Sequence, residues 1–277
     1  MQTSREMRPL VVTAAATLVA AGVMMSWSAA AQDLSDEWRF RAFIYLWAPQ
    51  IKGSATFPVG NTADFDLKFH TIFDNLKMAG MGSIEAQRGR WGAFTDVIYM
   101  NLGATDTKTR DGTIDGVPLP VGVTVNTGVG IKSWVWTLAG SYRVQSSQDL
   151  EMDVFAGARL LWLQPLLTYN FNVDVGPFAG PSRVGSRTVT ARNWDAIAGV
   201  KGRVGFGANR EWFVPYYVDI GTGDSDLTWQ GAVGIGYRAS WGDVIATWRY
   251  LDYNFKSSSS VNDLKMSGPL LGVAFRW

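Results

Sequence analysis

The residue types that perform most enzymatic chemistry are scarce in this chain. Its 277 residues include one histidine, His70, and no cysteine, which excludes thiol catalysis, cysteine-ligated zinc, iron–sulfur clusters and disulfide scaffolds. A serine nucleophile needs a neighbouring base, so a serine lipase or protease would have to use His70. The nearby residues Ile72, Phe73 and Leu76 indicate a short amphipathic turn. We expect His70 to be a loop residue bonded to a neighbour, and the protein not to be an enzyme.

Two groups of aspartates offer the oxygen ligands that calcium prefers. One group is Asp106, Asp111 and Asp115, and the other is Asp219, Asp224 and Asp226. Neither group has the spacing of an EF-hand loop, and acidic residues between glycines are usual in solvated turns. The sequence therefore predicts no metal site and no cofactor.

The net charge limits the classes of partner. The chain has 25 lysines and arginines and 24 aspartates and glutamates, for a formal charge of +1. A nucleic-acid-binding surface needs a basic excess, so no nucleic-acid partner is expected. Hydrophobic residues make up 47% of the chain, yet the mean hydropathy is only +0.01. That balance is too polar for a bundle of membrane helices and too apolar for a disordered chain.

Many of the charged residues alternate with apolar ones. Within residues 150–162, Glu151, Asp153 and Arg159 alternate with Met152 and other apolar residues. Only a β-strand places alternate residues on opposite faces. The same pattern assigns six acidic and six basic residues to one common, inward face: Glu85, Asp96, Arg143, Glu151, Asp153, Arg159, Asp195, Lys201, Arg203, Asp219, Arg238 and Arg249.

These alternating segments predict an all-β protein. We predict ten strands, at about 37–48, 77–88, 91–103, 130–144, 150–164, 188–204, 211–221, 227–239, 243–255 and 265–277. Short connections alternate with long ones at 49–76, 104–129 and 165–187, which is typical of an up-and-down antiparallel barrel with tight turns on one rim and long loops on the other. Residues 51–57 and 64–69 could extend neighbouring strands or add two more. Twelve strands, or eight, are therefore alternatives.

The first residues have the pattern of a secretory signal peptide. Arg5 and Arg8 precede an apolar run from Leu10 to Met25, and the small residues Ala29 to Ala31 follow. This order predicts cleavage after Ala31. The alternative is an N-terminal membrane anchor, because the run approaches the shortest spanning helix of about 17 residues. We expect residues 1–31 to be the signal peptide and residues 32–277 to form one barrel domain.

Two further patterns favour a barrel that faces lipid. Soluble barrels also alternate, but their ligand cavities are usually apolar, whereas the inward face predicted here carries both signs of charge. Aromatic residues cluster near strand ends, as expected of girdles at two membrane interfaces. These aromatics are Trp134, Trp136, Tyr142, Trp162, Trp194, Trp212, Trp229, Tyr237, Trp248, Tyr250 and Trp277. The sequence therefore predicts a transmembrane β-barrel.

The last predicted strand carries a resemblance to a known family. Its apolar face is Leu271, Val273, Phe275 and Trp277, which resembles the terminal assembly signal of Gram-negative outer-membrane β-barrel proteins. Residues 85–99 are similar to a hairpin of small proteobacterial barrel proteins. The resemblance implies a location in the bacterial outer membrane, insertion by the outer-membrane assembly machinery, and contact with membrane lipid and lipopolysaccharide. It implies nothing about a substrate.

The predicted strand number limits the function. A ten-stranded barrel has a narrow lumen, in which opposite charges are expected to pair, because an unpaired buried charge is costly. Phe94, Phe155 and Tyr217 would fill part of that lumen. We therefore expect a narrow, charge-paired barrel with a structural or surface-interaction role. A small passive, porin-like channel is the alternative, and a lipid-modifying or proteolytic barrel enzyme is the third possibility.

Overall fold

The computed structural model describes residues 36–56, 62–68, 72, 74, 76–114, 117–175, 178–188, 190–256 and 261–277. The predicted signal peptide and His70 lie outside these residues. The described residues form β1 (Trp38–Trp47), β2 (Gln50–Thr56), β3 (Thr62–Leu67), β4 (Leu76–Arg88), β5 (Trp91–Ile114), β6 (Val117–Ser146), β7 (Leu150–Val175), β8 (Phe178–Thr188), β9 (Ala191–Phe206), β10 (Trp212–Gly223), β11 (Ser225–Arg238), β12 (Asp243–Phe255) and β13 (Val261–Arg276). Within this described part, no helix is long and apolar enough to cross a membrane.

Ten of the described strands form a closed ring. Neighbours pair antiparallel in the order β1-β4-β5-β6-β7-β9-β10-β11-β12-β13, and β13 returns to pair with β1 between Arg41 and Trp47. Closure removes free sheet edges, so the backbone donors and acceptors of the ring are satisfied without water. The predicted ten-stranded antiparallel barrel is confirmed.

The two rims of the ring differ. At one of them, called the turn rim, short connections at residues 89–90, 147–149, 207–211 and 239–242 join consecutive strands. Gly89 in the first of these has a φ of +56°, which glycine adopts without a steric penalty. The opposite rim, called the hairpin rim, carries longer structures.

The predicted long loops at 104–129 and 165–187 are wrong, because most of these residues are paired strands. The last ring contact of β5 with β4 is Leu102 with Leu76, yet β5 stays paired with β6 as far as Ile114. β7 likewise continues to Val175 and folds back as β8. β-branched residues such as Thr107 and Val125 favour extended pairing in these segments. From Gly103 to Ile114, β5 rises roughly 40 Å beyond the ring at about 3.3 Å per residue.

Of the two segments at 51–57 and 64–69, the described residues 51–56 and 64–67 belong to an additional hairpin, which does not enlarge the ring. β2 pairs with the start of β13, and β3 pairs with β2. Gln50 Nε2 donates to Asp66 Oδ1 at 2.7 Å, and this hydrogen bond lowers the pKa of the Asp66 carboxyl. The ring therefore has ten strands, and the alternative of twelve does not hold.

The outer surface of the ring is apolar between two groups of aromatic residues. Near the turn rim, Trp91 packs on Tyr142 with ring centroids 4.9 Å apart, and near the hairpin rim Tyr99 packs on Trp134 at 4.5 Å. Exposed aliphatic side chains lie between the two groups: Ile44, Ile84, Leu138, Val218, Val233, Ile235 and Leu271. Trp134 and Tyr142 are roughly 26 Å apart along β6, comparable with the apolar band of about 25 Å in outer-membrane barrels.

Candidate functional site

Apolar side chains fill the barrel interior beneath the hairpin rim. Ile98 and Leu251 are fully buried at the centre of one continuous cluster. The connection between β3 and β4 contributes Ile72, which is also buried there. We call this cluster the apolar half: Tyr45, Trp47, Ile51, Ile72, Met81, Ile98, Met100, Leu102, Val135, Leu161, Leu251, Tyr253, Phe255, Leu264, Met266 and Leu270, each no more than 8% exposed. At this level apolar side chains occupy most of the lumen, and the buried polar residues Asn193, Asp195 and Ser225 lie beside them on β9 and β11.

Ionic side chains fill the interior nearer the turn rim. We call this region the charged half: Arg41, Glu85, Asp96, Arg143, Glu151, Asp153, Arg159, Lys201, Arg203, Asp219, Arg238, Asp243, Arg249 and Arg276. Arg143 Nε donates to Asp153 Oδ1 at 2.7 Å. The Arg143 guanidinium also lies 3.9 Å from Glu151, which pairs with Arg203. These four residues form one network across β6, β7 and β9.

A second pair lies beside the aromatic residues of the charged half. Lys201 Nζ is 2.6 Å from Glu85 Oε1 and 4.5 Å from the centroid of the Phe94 ring. Phe94 in turn packs edge-on against Phe155, with centroids 5.2 Å apart. The lysine is thus held between a carboxylate and a ring face, both of which favour a cation.

Two arginines lie where the charged half meets the apolar half. Arg159 of β7 is fully buried and pairs with Asp219 of β10, on the other side of the intervening strand β9. Arg249 donates to Asp96 Oδ2, Tyr45 Oη and Gln230 Oε1, each at 2.9 Å. An unpaired charge beside a packed apolar cluster is costly. These bonds therefore favour the strand positions in which both arginines reach their partners.

The structure brings together most, but not all, of the residues predicted to face inward. Ten of the twelve form the ion pairs above. Asp195 is buried but accepts hydrogen bonds from Asn193 Nδ2 at 2.6 Å and Ser225 N at 2.8 Å. For Arg238, no ion pair is found among the described residues. These two residues depart from the expected pairing.

Sequence reasoning missed a third ionic group at the turn rim. Asp243 is fully buried, and its carboxylate lies 2.9 Å from Arg276 Nη2 and 3.6 Å from Arg41 Nη2. The three residues come from β12, β13 and β1, and β1 lies beside β13 only because the ring closes. No spacing in the sequence signals that proximity. Sequence reasoning also missed the apolar half. Several of its strands carry apolar residues on both faces, so no alternation of apolar and polar residues marks which face points inward.

A cavity of about 200 Å³ remains in the lumen, mainly in the charged half. Its wall includes the ionic side chains Arg41, Glu85, Asp96, Lys201 and Arg249, together with aromatic rings and small polar residues. Its combination of convergent polar groups and apolar wall is typical of sites that hold a small molecule.

The other candidates from the sequence have separate positions. Asp106 and Asp111 lie in the extended part of β5, and Asp115 falls outside the described residues. Asp219 pairs with Arg159, whereas Asp224 Oδ2 accepts a hydrogen bond from Trp194 N at 2.8 Å. Among the residues that the structure describes, no group of three or more histidines, aspartates or glutamates is arranged to hold a metal ion.

The predicted C-terminal assembly signal lies on the outside of the barrel. Leu271, Phe275 and Trp277 are 61%, 40% and 66% exposed, and Val273 is half-buried on the same face. Their strand, β13, completes the ring by pairing with β1. The face that resembles the signal is therefore the face that would contact lipid.

Comparison with known proteins gives structural similarities alone. No protein-family model and no curated sequence matches the chain. The outer-membrane protease OmpT from Escherichia coli is 8% identical with a TM-score of 0.49, over 90% of this chain and 99% of that one. The translocator domain of the autotransporter NalP from Neisseria meningitidis is 15% identical with a TM-score of 0.36, over 96% and 98%. Ail from Yersinia pestis is 10% identical with a TM-score of 0.30, over 87% and 98%. Similarities of this strength carry no inference about activity.

The architecture is that of a transmembrane β-barrel. Antiparallel strands close into a ring, an apolar band between aromatic groups covers the outside, and charges lie within, as in barrels of the bacterial outer membrane. The fold is therefore that of Gram-negative outer-membrane β-barrel proteins, as the sequence predicted.

Proposed function

We propose that the protein is a non-conducting outer-membrane barrel whose hairpins mediate interactions at the cell surface. The observation that carries this proposal is the apolar half, where side chains of 8% exposure or less fill the lumen. A water-filled channel needs a continuous polar path, and a packed hydrophobic constriction blocks ions by excluding water. Barrels with wide aqueous channels have about 16 strands or more, whereas this ring has ten.

The hairpins are the part of the molecule available for contacts outside the membrane. In outer-membrane barrels the short turns face the periplasm and the longer connections face the exterior. This rule places the β5–β6 and β7–β8 hairpins, together with β2 and β3, outside the cell. In the proposed role the barrel anchors these structures in lipid and lipopolysaccharide, after insertion by the outer-membrane assembly machinery.

Planar-bilayer conductance tests the closed lumen. The purified protein, shown to be folded by heat-modifiable gel migration, should give no discrete current steps in concentrated KCl. Steps whose ion selectivity changes in Glu151→Lys or Arg249→Glu would overturn the proposal in favour of a channel. A matched control is Asp149→Lys, which changes the same type of charge on the exposed turn rim.

Single-cysteine labelling tests the orientation, and the absence of native cysteine makes it direct. Thr113→Cys near the tip of the β5–β6 hairpin should react with a membrane-impermeant maleimide on intact cells. Asn209→Cys in a short turn should react only after the outer membrane is permeabilised. The reverse pattern would place the hairpins in the periplasm and contradict a surface role.

The porin-like channel remains a second candidate because of the cavity in the charged half. In that case the apolar half would have to open, and wild-type protein would show conductance steps. The same bilayer experiment therefore separates the two candidates.

The proposed role is not enzymatic. The single histidine is the only imidazole base the sequence offers to a serine nucleophile. Hydrolysis of phospholipid or peptide substrates by the pure protein, lost in His70→Ala, would contradict this part of the proposal.

A further inference from the structure

The cavity of the charged half has more positive than negative charge around it. Lys201 and Arg249 each have a carboxylate partner in the cavity wall, Glu85 and Asp96. Arg41 also lines the cavity, but its nearest carboxylate, Asp243 at 3.6 Å, is bonded more closely to Arg276 at 2.9 Å. Among the charged residues that line the cavity, the three cations Arg41, Lys201 and Arg249 thus exceed the two carboxylates Glu85 and Asp96 by one.

Arg41 is also the cation of the cavity wall with the most accessible side chain. It is 32% exposed, whereas Lys201 is 14% exposed and Arg249 is 7% exposed. Arg41 Nη2 lies 3.6 Å from Asp243 Oδ2, which is longer than a hydrogen bond, and its Nε is buried without a hydrogen-bond partner. Its guanidinium therefore keeps donors that are not committed to the protein, and planar carboxylates are the anions that match those donors best.

The remaining wall of the cavity suits a flat apolar group. Phe43, Tyr45, Phe94 and Tyr217 contribute rings, and Ile245 contributes an aliphatic surface. A volume of about 200 Å³ is below the roughly 300–1,000 Å³ of pockets for drug-sized ligands. The space therefore fits a small molecule with one ring better than a nucleotide or an oligosaccharide.

The cavity lies between the apolar half and the turn rim. On one side it is bounded by the apolar half, with exposures of 8% or less. Toward the turn rim, Arg41, Glu151 and Arg276 keep 32%, 28% and 37% of their side-chain surface exposed. In the orientation expected for outer-membrane barrels, this rim faces the periplasm.

We propose that this cavity binds a small organic monoanion, an aromatic carboxylate in chemical class, that enters from the periplasmic side. Arg41 pairs with the carboxylate, and the rings of the wall pack on the body of the ligand. The site is a dead end, because the apolar half closes the lumen above it. This inference goes beyond the surface role, which concerns the opposite rim.

Calorimetric titration of the full-length barrel in detergent micelles with benzoate tests the proposal. Benzoate should bind with saturation, and benzamide, which has the same shape without the charge, should bind at least tenfold more weakly. Arg41→Gln should weaken benzoate binding about tenfold or more, as expected for the loss of a charged hydrogen bond. Arg41→Lys should retain part of the affinity, and Arg210→Gln, on the exposed turn rim, should retain all of it.

A second variant fills the cavity and keeps the positive charge of Arg41. Ala232→Phe adds a ring at a position in the cavity wall and should abolish benzoate binding while Arg41 is still present. Thr247→Leu, also in the wall, replaces it if the first variant does not show heat-modifiable migration. Absence of saturable benzoate binding to the wild type, or equal binding by wild type, Arg41→Gln and the filled variant, would overturn the proposal.

Discussion

The apolar half and the charged half of the lumen are lined by the same ring of strands but are filled by different interactions. Dispersion and hydrophobic contacts are non-directional, so Ile98, Leu251 and their neighbours can form one continuous buried cluster. Ion pairs need particular distances and angles, and the charged half keeps a cavity of about 200 Å³. The comparison shows that apolar packing fills one half of this barrel, while the ion pairs of the other half join neighbouring and opposite strands and leave a cavity between them.

The largest effect is expected where the two halves meet. Asp219→Ala should lower the free energy of unfolding by about 3–5 kcal/mol, because it leaves the fully buried Arg159 without its partner. Urea titration in lipid vesicles, followed by tryptophan fluorescence, measures this loss. Adding Arg159→Met should recover most of it, since the charge and its desolvation penalty are then both removed. A loss below about 1 kcal/mol in the single variant would show that water reaches this level of the lumen.

The next largest loss of unfolding free energy is expected from a truncation in the apolar half, and a matched truncation at the cavity should cost less. Leu251→Ala removes a fully buried side chain and should cost about 2–5 kcal/mol. Thr247→Ala, beside an existing cavity, should cost less than about 1 kcal/mol, because little packing is lost. The same urea titration measures both variants. Similar losses would mean that the two regions are equally well packed, and the contrast between the halves would fail.

A smaller effect is expected from an ion pair of the charged half. Glu85→Lys places a second cation beside Lys201, and Lys201→Glu places a second carboxylate beside Glu85, so each single variant should be destabilised. The double exchange restores opposite charges. The resulting double-mutant cycle should give a coupling free energy of about 1 kcal/mol or more. A coupling near zero would indicate that this pair orients the strands without stabilising the barrel.

The smallest effect is expected outside the lumen. Arg210 and Asp149 pair on the turn rim with side chains 43% and 64% exposed. Asp149→Ala should change the free energy of unfolding by less than about 1 kcal/mol, and added salt should remove the difference. This variant is the reference for both halves of the lumen. A larger loss would show that the turn rim contributes more to stability than the ion pairs inside.

Several features of the fold could be predicted because they depend on residues close together in the chain. Alternation along the segment 150–162 identified a strand and separated Arg159 from Val154, and both residues lie on the expected faces of β7. Short turns could also be predicted from neighbouring residues, as at Gly89. The long hairpins could not be predicted in the same way. Thr107 and Val125 belong to strands that pair with each other beyond the ring, where the alternation of apolar and polar residues that identifies a strand is weak.

The sequence by itself determined the fold class of this protein: the strands, the apolar outer face and the charge on the inner face all follow from residues two apart along a strand. The pairing of β2 and β3 outside the ring then decided between ten strands and twelve. Only the tertiary structure decided what closes the lumen and where a ligand would fit. The Asp243 group and the apolar half join residues from strands that meet on ring closure, and no local pattern encodes which inward side chains face each other across a barrel. That distribution of packing and charge is the basis for both proposed roles.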